Sequence, residues 1–64
     1  MTELENAEQY VTEGRRVVTE QREKVDRLRA TGGDIYGAEQ ELRFFEGSLA
    51  IFEDHLLWLR TAQP

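Results

Sequence analysis

No cysteine occurs in the 64-residue chain, which excludes disulfides and thiolate metal sites and suits a reducing cytoplasm. The single proline is Pro64, so nothing breaks a helix across the residues before it. No stretch approaches the roughly 20 apolar residues that span a bilayer, and no early apolar run resembles a signal peptide. Neither insertion in a membrane nor a membrane partner is expected. Histidine occurs once, at His55, and no glycine-rich phosphate loop is placed between a strand and a helix. Without a cysteine nucleophile or a second histidine, catalysis has no support, and the chain reads as a non-enzyme with no cofactor and no bound metal. Bases are also few: eight against 13 acids, a net charge of −5. A net acidic surface repels phosphate backbones and argues against a nucleic-acid partner.

What is present is a seven-residue apolar repeat, twice over. The first half carries Leu4, Ala7, Val11, Gly14, Val18, Gln21, Val25 and Leu28. The second carries Ile35, Ala38, Leu42, Phe45, Leu49, Phe52, Leu56 and Leu59. Folding one half back on the other about Thr31-Gly32-Gly33-Asp34 pairs Leu28 with Ile35, Val25 with Ala38, and so on to Leu4 with Leu59. The positions flanking one side of this seam then read Arg29, Glu39, Arg22, Glu46, Arg15, Glu53, Glu8 and Arg60. Opposite charges face each other at every step, and the sign inverts on both halves together at the far end. The fold class this predicts is all-α: a two-helix antiparallel hairpin, coiled-coil-like, in a single domain covering 1–64.

Helix 1 is expected over about 3–30, the turn over 31–34 and helix 2 over about 35–61. Thr2 and Glu5 match a capping box, Gly32 suits the left-handed position after a helix, and Asp34 can cap the next one. Gly14 faces Leu49 and sits between layers holding Phe45 and Phe52, so it is read as a close-packing point. Gln21, the one long polar side chain on the seam, falls opposite Leu42 with Lys24 and Glu41 in reach, and is read as setting register. His55 is expected to hydrogen-bond near Tyr10 at an interface edge.

The two helices are not equivalent. Helix 2 carries a second heptad row, Gly37, Phe44, Ile51 and Trp58, widened by Ala50 and Leu57. One neighbouring helix cannot cover it. On the side away from the charges the seam is flanked by Tyr10, Val17 and Ser48. So small a chain also has few ways to complete a core without disulfides or metals, and association is the one left. A homodimer forming an antiparallel four-helix bundle is expected, with Tyr10, Val17, Phe44, Ile51, Leu57 and Trp58 at the interface with itself or with a protein partner.

One resemblance bears on this. The run Val11-Thr12-Glu13-Gly14-Arg15-Arg16-Val17-Val18-Thr19-Glu20-Gln21-Arg22, then Leu28, Gly32-Gly33-Asp34, Ala38-Glu39 and Leu42, resembles short proteins of alphaproteobacteria, rhizobia and their relatives especially. The similarity covers about residues 7–57. The chain departs from that pattern at Arg15, where glutamate is usual, at Gly33, where histidine is frequent, and at Ile35, where threonine is frequent. The last departure leaves open which residue caps the second helix. The resemblance implies a bacterial, cytoplasmic helical hairpin and supplies neither mechanism nor site residue. The function read from the sequence is therefore that of a small structural or interaction protein. The alternatives are a small-ligand or metal-binding bundle built around His55, and a nucleic-acid binder using Arg15, Arg16, Arg22, Arg27 and Arg29.

Overall fold

The computed structural model describes residues 1–62, in which two helices pack against each other: α1 (Glu3–Ala30) and α2 (Tyr36–Ala62). No strand occurs among the described residues. Pro64, read above as lying past the second helix, falls outside them. The molecule is a rod with principal extents of 52 × 16 × 12 Å. That length is set by helices of 27 and 28 residues, about 40 Å each at 1.5 Å per residue.

Local chemistry fixes the ends. The Thr2 hydroxyl accepts from the Glu5 backbone N–H, and the Glu5 carboxylate accepts from the Thr2 N–H, both at 3.1 Å, closing a capping box. At the other end of α1, Gly32 takes φ +73°. The Gly33 N–H donates to the Leu28 carbonyl at 2.8 Å and the Gly32 N–H to the Arg29 carbonyl at 3.4 Å. These are the two bonds of a Schellman motif, and a left-handed residue is what they require. The Asp34 carboxylate then accepts from the Tyr36 N–H at 3.0 Å, while the Ile35 carbonyl accepts from the Glu39 N–H at 2.8 Å. The work of starting α2 is thus shared between two residues. Ile35 holds the backbone cap position and Asp34 supplies the side chain, so the helix begins one residue later than its apolar repeat.

Along the seam, Ala7, Val11, Val18, Gln21 and Val25 of α1 are buried, as are Ala38, Leu56 and Leu59 of α2. Away from the turn, Ala7, Val11, Leu56 and Leu59 form a core cluster with Leu4 and Leu49 against it. Midway along, the seam loosens. Leu42, Phe45 and Leu49 are only half-buried, and Phe52 keeps 38% exposure despite its seam position. Opposite Leu49, α1 offers Gly14, which has no side chain to form a wall. A Cβ built there would lie 3.1 Å from Leu49 Cδ1, so the helices already touch at this point. Gln21 is buried and satisfied, donating from Nε2 to the Ala38 carbonyl at 2.9 Å and reaching a Glu41 carboxylate oxygen at 3.5 Å.

Gly14→Leu should therefore lower the unfolding free energy by about 1–3 kcal/mol through overpacking, measured by denaturant titration followed by far-UV circular dichroism. The same replacement at Gly37, where an added Cβ would meet nothing within 4 Å, should not.

Candidate functional site

The two long edges of the hairpin differ in chemistry. On one edge Arg29 meets Glu39 at 3.2 Å, Arg22 meets Glu46 at 2.9 Å, Arg15 meets Glu53 at 3.2 Å, and Arg60 approaches Glu8 at 3.8 Å. All four pairs cross between helices. They are well exposed, so each is worth roughly 0–1 kcal/mol, and their value lies in register more than in stability. A groove of about 320 Å³ runs along this edge, with Arg22, Arg29, Glu39, Arg43 and Glu46 among its walls.

The opposite edge is dry. A groove of about 250 Å³ opens there between Tyr10, Gly14 and Val17 of α1 and Phe45, Ser48, Leu49 and Phe52 of α2. It is the outer aspect of the loose seam around Gly14. Tyr10 stacks on Phe52 with ring centroids 5.5 Å apart and 21° between planes, so its ring covers part of the seam that α1's backbone leaves open. His55 has two neighbours that the spacing alone did not name. It stacks on Trp58 at 6.1 Å and its Nε2 stands 3.8 Å from a Glu3 carboxylate oxygen, while Tyr10 has taken Phe52.

Beside this groove runs the outer row of α2. Phe44 is 70% exposed, Ile51 69% and Trp58 61%, and Phe44 makes an edge-to-face contact with Phe45 at 6.0 Å. Leu57 is equally exposed but lies about 100° round the helix from Trp58, nearer the charged edge. Val17 is half-buried and Tyr10 exposed. Phe44, Ile51, Trp58, Tyr10 and Val17 thus share one side of the molecule, and Leu57 borders it.

The outer face of α1 is polar. Arg16 bonds Glu13 from two of its guanidinium nitrogens and Glu20 at 2.6 Å from another. The Arg16 hydrogen bonds, then its charge, hold the Glu13 carboxyl below its usual range. The Thr2 backbone N–H does the same for Glu5. Of the five arginines that could have formed a basic patch, only Arg27 makes no ion pair among the described residues. Among those residues no three metal-ligating side chains stand together, and no helix is long and apolar enough to cross a membrane.

Taken together, the geometry defines a helical hairpin with one charged edge and one apolar side. No protein-family model, curated protein or solved structure matches the chain.

A double-mutant cycle with Arg22→Ala and Glu46→Ala should give a coupling of about 0.2–1 kcal/mol, measured by denaturant titration; additive effects would remove this pair from the register device. Acid should also loosen α1. A carboxylate with a depressed folded pKa contributes stability that is complete above its ordinary range and lost as the pH falls through the depressed value. Glu13→Gln should accordingly flatten the acid limb of the stability profile.

Proposed function

We propose that this protein is a small structural or interaction module that self-associates through the apolar side of α2 and presents its polar exterior to another protein. The observation that supports this most is the row Phe44, Ile51 and Trp58, three large apolar side chains left mainly in water on a chain of this size. Rows of this kind mark interaction surfaces. The simplest closure is a twofold dimer forming a four-helix bundle, with α2 at the centre and α1 outside. The asymmetry of the hairpin fits that arrangement, since α1 carries Glu13, Arg16 and Glu20 outward and α2 carries aromatic rings. A bacterial, cytoplasmic setting belongs to the same reading, on the resemblance described above.

Ile51→Glu places a charge in the middle of the row. For a dimer, truncating or charging a central anchor costs about 2 kcal/mol or more, roughly thirtyfold in Kd. Light scattering over a dilution series should show a dimeric wild type and a monomeric, still helical Ile51→Glu. A monomeric wild type would leave the row for a different protein and sink self-association.

A further inference from the structure

We draw no further inference here: the strongest candidate, the apolar surface patch that Phe44, Ile51 and Trp58 form on α2 beside the groove around Gly14, carries nothing beyond the function proposed above, because nothing in the structure shows what covers it.

Discussion

The rest of the molecule depends on a strip of contact in which one helix offers short side chains and the other long ones. α1 contributes Ala7, Val11, Gly14, Val18 and Val25, whereas α2 contributes Leu42, Phe45, Leu49, Leu56 and Leu59. Short against long brings the helices near enough to bury the alanines and valines almost completely. It also means that α1 is too slender to cover its partner. Phe45 and Leu49 stay half-exposed, Phe52 leans on Tyr10, and an apolar groove opens around Gly14. The close approach and the unfinished surface share one cause.

Apolar heptads alone tolerate slippage, because a shift of seven residues pairs leucine-like positions with one another again. The cross-helix charges discriminate where the seam does not. A one-heptad slip in one direction would set Glu8 against Glu53, and in the other Arg15 against Arg60. Either way an attractive contact is replaced by a repulsive one and the row loses a rung. Gln21 adds to this from inside, since its buried amide needs the Ala38 carbonyl and would lose it on any shift. Weak surface pairs can therefore matter more to uniqueness than to stability.

Much of the fold was legible because helical periodicity is a one-dimensional property. The capping residues Thr2 and Glu5, the left-handed Gly32 and the contact of Gly14 with Leu49 all follow from spacing and residue type. The later start of α2 was not, because Asp34 and Ile35 divide the capping role in a way that depends on the turn's backbone path. Nor were the partners of His55. Heptad arithmetic assigns it an edge but ignores side-chain reach, which brings it to Glu3 and Trp58. The exposure of Phe52 escaped for a related reason: a seam position is buried only if something opposite is large enough to bury it. Of the candidate interface residues, spacing puts Phe44, Ile51 and Trp58 in one row, whereas Leu57 comes out at its border because consecutive residues on a helix diverge by about 100°.

The hairpin's buried cluster of Ala7, Val11, Leu56 and Leu59 lies at its open end, far from the turn. Closing that end directly from an unfolded chain means joining residues about 50 positions apart in one step. Starting at Gly32 instead brings Leu28 and Ile35 together across a very short loop, and each later layer adds only a small further closure cost. Loop closure thus favours a zipper that begins at the turn and reaches these layers last.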